Sequence, residues 1–595
     1  MRIATPVLLS ISLFHAFQHI RGYSILGICP SASYSHQQPF QALMKALAVR
    51  GHNVTVVSTI PLKNPPTNYE NVDLSFSYRK KDCTGLRHLG AYTLLHKNMW
   101  EANELCEQQL FSSAIDKLIA SNKTFDAVII EQLWFQCYYA LVKHYNFPVL
   151  MGFLSVGNLP YVMDSVGNPD DPNLNPDMAY PFTDRMTINE RIWNTLYTTW
   201  TRLYYRYWHL PRAQRIANVW APGTSVYDID KNFSLVILGN NHVFGYPKPL
   251  LPHVIEVHSL QISNKPELLP KEIREFLDNA QDGAIYFSLG SNLQTHQLPA
   301  GTLTALCNAL GSLKQRVLWK HDGNMAIHPA NIKFVKWVPQ QAVLAHPRMM
   351  AYVMQGGLQS LQEAVHHSVP VVAIPFFGDQ LFNARKILDA GIGLTLDIDT
   401  MTESFIVQTL AEVVENKTYL NNIKIMSAIV RDELIKPMER AIWNIEHVLK
   451  FPNSRHLRYH GRNISWIDYY TTFLCLSACI IFLSYINYVL CSRAIDAFIK
   501  IKRILKQKIT RTHLNEFSAG KEVISRGVKH GATGMNYSQD KTPMGASSRT
   551  NRLVAIERDW LLLLKPTNQR RDSVKNLVTL QLLNVVQLLN AANHK

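Results

Sequence analysis

The sequence predicts an α/β protein with two doubly wound domains, followed by one membrane-spanning helix. Two separate series of short β-branched strands alternate with amphipathic helices, one starting near residue 23 and the other near residue 283. Such alternation is typical of parallel sheets that are covered by helices on both faces. Residues 469–491 then form a run of 23 residues without a charge. This run is long enough to cross the hydrocarbon core of a bilayer.

The first series predicts an N-terminal domain over residues 23–262. The run Tyr23–Pro30 is apolar and bounded by turn residues, which indicates a buried strand. Pro39–Arg50 has the period of an amphipathic helix, and Asn53–Thr59 is a β-branched strand. Strand, helix and strand in this order form the βαβ unit with which a Rossmann-like domain begins. A later strand, Phe125–Glu131, is assigned to the same sheet.

The second series predicts a C-terminal domain over residues 263–452 on the same plan. Ala284–Gly290, Arg316–Lys320 and Met349–Gln355 are strands in this interpretation, and helical segments separate them. We therefore expect two Rossmann-like domains that face each other across a cleft. In open α/β sheets, ligands bind beyond the carboxyl ends of the strands.

Two terminal segments predict targeting. Residues 1–22 combine Arg2, an apolar stretch and small or polar residues, which is the pattern of a signal peptide. Six Lys and Arg residues follow the span within 17 positions of its end, so the positive-inside rule predicts a single-pass type I protein of the endoplasmic reticulum membrane. Both domains would then be lumenal, and residues 492–595 would form a basic, largely disordered cytosolic tail. N-glycosylation sequons lie on the lumenal side, at Asn122, Asn232, Asn416 and Asn463.

The net charge of +16 does not indicate binding to nucleic acid. Residues 493–595 hold 19 Lys and Arg against seven Asp and Glu, so the rest of the chain is nearly balanced. The charge belongs to the tail beside the membrane, where basic residues have their own role. The eight cysteines include no C-x-x-C pair, so no metal site is expected, while one or two disulfides stay open.

The segment Trp337–Gln380 holds the most specific pattern, WVPQQAVLAHPRMMAYVMQGGLQSLQEAVHHSVPVVAIPFFGDQ. It resembles the signature of the UDP-glycosyltransferase family, whose blocks W-x-P-Q, H-P, H-G-G, S-x-x-E and D-Q cover the same 44 residues. Four blocks are intact and one is altered. Further resemblance over residues 23–492 includes YFSLGS and SHQQPF, and SYSHQ and VLWK are most similar to insect members. The resemblance implies a GT-B fold and a UDP-sugar that is a co-substrate, with no cofactor.

On this resemblance, the UDP-sugar binds to the C-terminal domain. Trp337 would stack on uracil, Gln340 would bond the base edge, and Glu363 would accept hydrogen bonds from the ribose hydroxyls. Asp379 and Gln380 would hold the donor sugar, while a glycine turn and the following helix N-terminus would hold the diphosphate. The predicted donor-binding residues are Ser291, Trp337, Val338, Gln340, His346, Gln355, Gly356, Gly357, Gln359, Ser360, Glu363, Asp379 and Gln380.

His36 and Glu131 are the predicted catalytic residues. A neutral hydroxyl needs a base, and His36, which follows the first strand, matches the family's catalytic His. In the family, attack from the face opposite UDP inverts the anomeric configuration, and an Asp at the end of a later strand orients the His. Here that strand ends in Glu131, and no Asp lies between residues 127 and 163. A solvated carboxylate at the end of the sheet is the alternative for Glu131.

Three polar positions depart from the family pattern. Gln355 replaces the His that contacts the donor diphosphate, Gln359 replaces an Asn, and the orienting Asp is missing, with Gln136 near its place. Two interpretations therefore stay open. The first is an enzyme that transfers glucose, or else glucuronate, to a hydroxyl of a small lipophilic acceptor. The second is a membrane-anchored binding protein with little transfer activity.

The aromatic-rich loops at residues 61–101 and 164–212 are expected to select the acceptor, whose identity the sequence leaves open. Self-association into a homo-oligomer is open as well.

Overall fold

The computed structural model describes residues 22–78, 83–263, 267–293, 295–323, 325, 327–459 and 466–527. Nearly all of the predicted signal peptide, residues 1–22, lies outside the described residues, as do the sequon at Asn463 and the tail from residue 528. The chain divides into two compact units, one up to Thr471 and one from Thr472.

Seven parallel strands form the first sheet, in the order β3-β2-β1-β4-β5-β6-β7. Ile25 and Ile129 pack in the core on one face, whereas Leu26 and Ile130 pack in the core on the other. A sheet that is covered on both faces needs strands that are apolar at nearly every position, which is why these strands were recognisable. The strands are β1 Ser24–Cys29, β2 Asn53–Ser58, β3 Tyr69–Asp73, β4 Ala127–Glu131, β5 Val149–Leu154, β6 Leu235–Leu238 and β7 Val254–Glu256.

The helices of this domain are α1 Tyr34–Val49, α2 Ala91–Leu110, α3 Ser113–Ala120, α4 Tyr139–His144, α5 Pro160–Val166, α6 Ile188–Tyr204, α7 Leu210–Trp220 and α8 Val226–Asp230. Helix α1 begins five residues before the predicted Pro39, which places His36 in its first turn. A π-helical turn, Tyr205–His209, joins α6 to α7. Cys106 of α2 and Cys137 form a disulfide, with their Cα atoms 6.3 Å apart.

Six parallel strands form the second sheet, in the order β10-β9-β8-β11-β12-β13. They are β8 Ala284–Ser288, β9 Arg316–Lys320, β10 Ile332–Val335, β11 Met349–Met354, β12 Val371–Ala373 and β13 Gly393–Thr395. The helices are α9 Lys271–Asp278, α10 Ala300–Gly311, α11 Gln340–Leu344, α12 Leu358–His366, α13 Gln380–Asp389, α14 Glu403–Glu415, α15 Lys417–Arg431 and α16 Pro437–Lys450. Two Rossmann-like domains that face each other across a cleft are thereby confirmed.

Helix α16 packs on the first sheet, although the predicted boundary of 263–452 assigns it to the second domain. Its apolar residues Ala441, Ile442 and Ile445 belong to the same core as Ile25. Next to this apolar stripe, Glu446 Oε1 lies 3.1 Å from the Nε of Arg50, which also belongs to the first domain. The chain therefore crosses back to the first domain before it leaves the folded body, because the apolar stripe of α16 completes the core there.

Helix α17, Trp466–Gly527, contains the predicted span. From Tyr470 to Ala519 it is long and apolar enough to cross a membrane, which fits membrane anchoring. It continues beyond the predicted end at residue 491. Residues 492–527 are therefore helical, although the sequence predicts a largely disordered tail there. The sequence has neither Gly nor Pro between residues 492 and 519 and is rich in good helix formers, which explains the continuation.

Candidate active site

A cavity of about 770 Å³ lies between the carboxyl ends of the two sheets. Because all strands within each sheet are parallel, the segments that follow β1, β8, β11 and β12 open toward this cavity. Most of the predicted site residues line it, namely His36, Ser291, Trp337, Val338, Gln340, Gln355, Gly357, Gln359, Ser360, Glu363, Asp379 and Gln380.

His36 and Glu131 form a hydrogen-bonded pair. The Nδ1 of His36 lies 2.7 Å from Glu131 Oε1. The Glu131 side chain is only 1% exposed and lies behind the His36 ring, which lines the cavity. Burial alone would lower the pKa of His36, but the hydrogen bond and charge of Glu131, together with the charge of Asp379, outweigh it and raise that pKa. Since Nδ1 faces the carboxylate, Nε2 is the ring nitrogen available for a proton from the cavity.

Glu363 is held by two glutamine side chains. Gln340 Nε2 donates to Glu363 Oε2 over 2.7 Å, and Gln341 Nε2 lies 3.4 Å from Oε1. Burial raises the pKa of Glu363 to about 7, although both amides act against this rise. Tyr352 fixes the other end of Gln340 by donating from its hydroxyl to Oε1 over 3.0 Å. A buried carboxylate with a fixed orientation can accept hydrogen bonds from hydroxyls of a ligand.

Trp337 is 55% exposed at the edge of the cavity and has two contacts that the sequence interpretation missed. The Tyr34 ring packs edge to face against it at a centroid distance of 5.0 Å. The Lys320 ammonium lies 4.7 Å from the Trp337 ring centroid and donates to the Gly290 carbonyl over 2.7 Å. The position of Lys320 at the last residue of β9, beside β8, was the signal that could have placed it here.

The turn after β11 has the backbone expected of a phosphate-binding turn. Gly356 has a φ of 88°, and a Cβ atom there would lie 3.1 Å from the Gln380 carbonyl oxygen, so a larger residue would be strained. Gly357 is the N-cap of α12. Gln355 lines the cavity beside this turn, and its Oε1 is buried without a hydrogen-bond partner among the described residues.

Gln359 bridges the two domains. Its Nε2 donates to the Ser155 carbonyl of the first domain over 2.7 Å, although the resemblance places it at the diphosphate. The methylene that distinguishes Gln from Asn gives the side chain this reach. The amide nitrogen therefore already has a protein partner.

Asp379 and Gln380 lie beside the cavity at the start of α13. Gln380 Oε1 accepts hydrogen bonds from the backbone amides of Phe376 and Phe377, at 2.8 and 3.1 Å, so part of its role is to hold the preceding loop. Burial raises the pKa of Asp379, whereas a hydrogen bond from Asn383 over 2.8 Å acts in the opposite direction.

Two predicted donor-binding residues do not line the cavity. The Nε2 of His346 lies 3.2 Å from Asp278 Oδ1, and its Nδ1 accepts a hydrogen bond from the Arg348 amide at 3.3 Å. His346 therefore fixes the loop between α11 and β11. Gly356 does not line the cavity, and its contribution is the backbone conformation of the turn described above.

The first domain contributes a mainly apolar wall to the cavity. Its members come from α2 and from the loops that the sequence associated with the acceptor, together with the segment after β4. They include Leu86, Leu94, Leu105, Leu133, Trp134, Phe135 and Met178. Asn98 and Glu101 add polar groups to the same wall.

Known proteins resemble this chain over most of its length. A family model described as UDP-glucoronosyl and UDP-glucosyl transferase matches residues 26–504. UDP-glucosyltransferase 2 of Dactylopius coccus is 30% identical over 490 residues, which are 79% of this chain and 94% of that protein. UDP-glucuronosyltransferase 2B33 of Macaca mulatta is 26% identical over 466 residues, 74% of this chain and 87% of that protein.

Among solved structures, the glycotransferase of kitacinnamycin is 17% identical with a TM-score of 0.48, over 72% of this chain and 99% of that one. The family model alone covers far more than half of the chain, and it confirms the resemblance carried by residues 337–380. The chain therefore belongs to the family of UDP-glucuronosyl and UDP-glucosyl transferases.

Proposed function

We propose that this protein transfers a hexosyl group from a UDP-sugar, with inversion, to a hydroxyl of a small lipophilic acceptor. The observation that carries the proposal is the pairing of His36 with Glu131 at the wall of the cavity, at 2.7 Å. The acceptor hydroxyl gives its proton to His36 Nε2 while its oxygen attacks the anomeric carbon. The bond from that carbon to the diphosphate breaks on the opposite face, UDP leaves, and Glu131 stabilises the imidazolium.

Glucose is the favoured donor sugar. The relative at 30% identity is named a UDP-glucosyltransferase. In addition, the carboxyl group of Asp379 lies where the family holds the donor sugar, and like charges close together in a buried site repel each other. A glucuronate carboxylate would therefore need a cationic partner that glucose does not need. The apolar wall around Leu105 and Phe135 favours a lipophilic acceptor, in keeping with a role in detoxification.

Donor consumption tests the proposal. Microsomes that contain the full chain are given UDP-glucose or UDP-glucuronate with a panel of phenols, and the release of UDP is measured. Acceptor-dependent release, faster with UDP-glucose, is expected. Tight UDP binding without release for any acceptor would favour the second candidate function, a membrane-anchored binding protein. The Oε1 of Gln355, which has no hydrogen-bond partner within the part of the chain that the structure describes, is the observation that supports this alternative.

UDP binding is expected to weaken as the pH falls through about 7, the pKa to which burial raises Glu363. Ribose hydroxyls donate to the ionised carboxylate, so the ligand prefers deprotonated Glu363 and loses affinity as that group takes up a proton. Between pH 8 and pH 6 the dissociation constant should rise up to about tenfold. Calorimetric titration of wild type and Glu363→Gln checks this. The variant should give a flat pH profile, and a flat profile for wild type would contradict the assignment.

The endoplasmic reticulum membrane, with both domains in the lumen, is the proposed location. Exposed Asn122, Asn232 and Asn416 and the Cys106–Cys137 disulfide suit that oxidising, glycosylating compartment. Endoglycosidase should increase the gel mobility of the membrane-inserted protein. Protease outside intact microsomes should remove only a fragment of the size of residues 492–595. Digestion of the folded domains would contradict the proposed orientation and indicate that these domains face the cytosol.

A further inference from the structure

Glu131 is fixed through both of its carboxylate oxygens. Oε1 contacts His36 Nδ1, while Oε2 accepts hydrogen bonds from Ser31 Oγ and, over 3.7 Å, from Cys29 Sγ. Ser31 is only 5% exposed at the wall of the cavity and Cys29 is fully buried, so both donors are largely shielded from water. The Glu131 carboxylate therefore lies between His36 and the hydroxyl of Ser31. The proton transfer proposed above gives this hydroxyl no role.

We propose that Ser31 is a positioning residue, whose hydroxyl holds Glu131 in the orientation that keeps His36 aligned for proton abstraction. The terminal torsion of a Glu side chain is soft, so one hydrogen bond at Oε1 does not fix the plane of the carboxylate. A second bond at Oε2 does. The inference rests on the proposed function, because it assigns a role within the same proton transfer.

The backbone holds Ser31 in place independently of its hydroxyl. The Ser31 carbonyl accepts hydrogen bonds from Gln37 Nε2 at 2.8 Å and from Thr59 Oγ1 at 2.7 Å. Removing the hydroxyl therefore leaves the segment between β1 and α1 anchored. Replacing Ser31 by Ala therefore removes a hydrogen bond to Glu131 but leaves the backbone hydrogen bonds that hold this segment.

Cys29 is the weaker of the two supports. Burial, together with the charge of Glu131, raises the pKa of the Cys29 thiol well above its usual value, so it stays protonated. A thiol is a weak donor compared with a hydroxyl. Besides Glu131, Asp379 of the opposite domain also acts on His36 through its charge, and a substitution of Ser31 leaves Asp379 unchanged.

The test measures kcat, the KM of the donor, the dissociation constant of UDP and the melting temperature of the full chain. Ser31→Ala should lower kcat between about tenfold and a hundredfold while UDP affinity and melting temperature stay near wild type. The acid limb of the kcat–pH profile should move to lower pH, because His36 loses part of the support that raises its pKa. Ser31→Cys keeps a weak donor in a somewhat larger side chain, so its kcat should lie between those of wild type and Ser31→Ala.

A double-mutant cycle with Glu131→Gln distinguishes positioning from a general structural effect. If Ser31 acts through Glu131, Ser31→Ala should change kcat by less than about twofold once Glu131→Gln is present. Ser58→Ala is the matched control, since Ser58 is also a buried serine and donates a hydrogen bond to Gln37 but has no hydrogen bond with Glu131 among the described residues. It should leave kcat and the pH profile unchanged.

The proposal would be overturned if the losses in kcat caused by Ser31→Ala and Glu131→Gln multiply in the double mutant. An unchanged kcat in Ser31→Ala would overturn it as well. If Ser31→Ala does not fold, Ser31→Cys replaces it in the same cycle, and the same two results support or overturn the proposal. The proposed function has a separate test in His36→Ala. Full activity of His36→Ala would show that His36 is not the base. If His36→Ala is instead inactive, and the losses in kcat from Ser31→Ala and Glu131→Gln multiply in the double mutant, only the role of Ser31 is refuted.

Discussion

Replacing His36 by Ala is expected to lower kcat by about a hundredfold or more, which is the usual contribution of a general base. UDP affinity should stay nearly unchanged, because His36 belongs to the first domain and its ring nitrogen Nδ1 is bound to Glu131, 2.7 Å away. Single-turnover kinetics and a UDP titration on the same preparation separate the two quantities.

The control is His328→Ala, since His328 is exposed and does not line the cavity. It should retain the wild-type rate. An equal loss of UDP affinity in His36→Ala would show that His36 acts on the structure of the cleft and not on the acceptor proton. Wild-type activity at low pH should fall as His36 becomes protonated, and the raised pKa of His36 places this loss above the pH expected for an ordinary His.

Replacing Gln355 by His is expected to strengthen UDP binding between about tenfold and a hundredfold. The turn at Gly356 and the N-terminus of α12 are retained, so only one side-chain contact to the diphosphate is altered. A hydrogen bond to a charged group is worth about 1.5–3 kcal/mol, and a factor of ten is about 1.4 kcal/mol. Gln keeps part of that contact, so the gain should be at the lower end. Titration of UDP into detergent-solubilised protein measures it.

Gln408→His provides the matched substitution at an exposed site away from this cavity, and it should leave the UDP affinity unchanged. From the family pattern alone, which has Asn at position 359, Gln359→Asn would be expected to strengthen UDP binding further. The structure reverses that expectation, because the shorter side chain would lose the hydrogen bond to the Ser155 carbonyl. If wild type already binds UDP tightly and Gln355→His changes nothing, the diphosphate is held by other groups, and Lys320, a cationic residue that lines the same cavity, is one candidate.

The sheets and the location of the site could be predicted because they depend on local patterns. Strands such as Ser24–Cys29 and Arg316–Lys320 are buried on both faces, and their apolar runs identify them as strands in the sequence. Parallel strands end at one edge, so residues that follow them in sequence meet in space. The contact between His36 and Glu131, 95 positions apart, followed from this rule together with the resemblance.

Features that depend on distances between domains could not be predicted. The reach of Gln359 to Ser155 and the approach of Tyr34 to Trp337 both cross the cleft, whose width no local pattern encodes. Likewise, the amphipathic stripe of helix α16 indicates that it packs on a core but does not indicate which core. The direction of the His346 side chain toward Asp278 could not be predicted either, because a motif position fixes the residue type and not the direction of its side chain.

The anomeric configuration of the product tests the central claim most directly. The protein in microsomes is supplied with UDP-glucose, whose glucosyl group is joined to the diphosphate by an α linkage, and with a phenol that supports UDP release. The product is examined by proton NMR. Transfer by a single attack that His36 assists from the face opposite UDP predicts a β-glucoside, and predicts that His36→Ala forms this product at least about a hundredfold more slowly. An α-glucoside, or a β-glucoside formed at the wild-type rate by His36→Ala, would contradict this account.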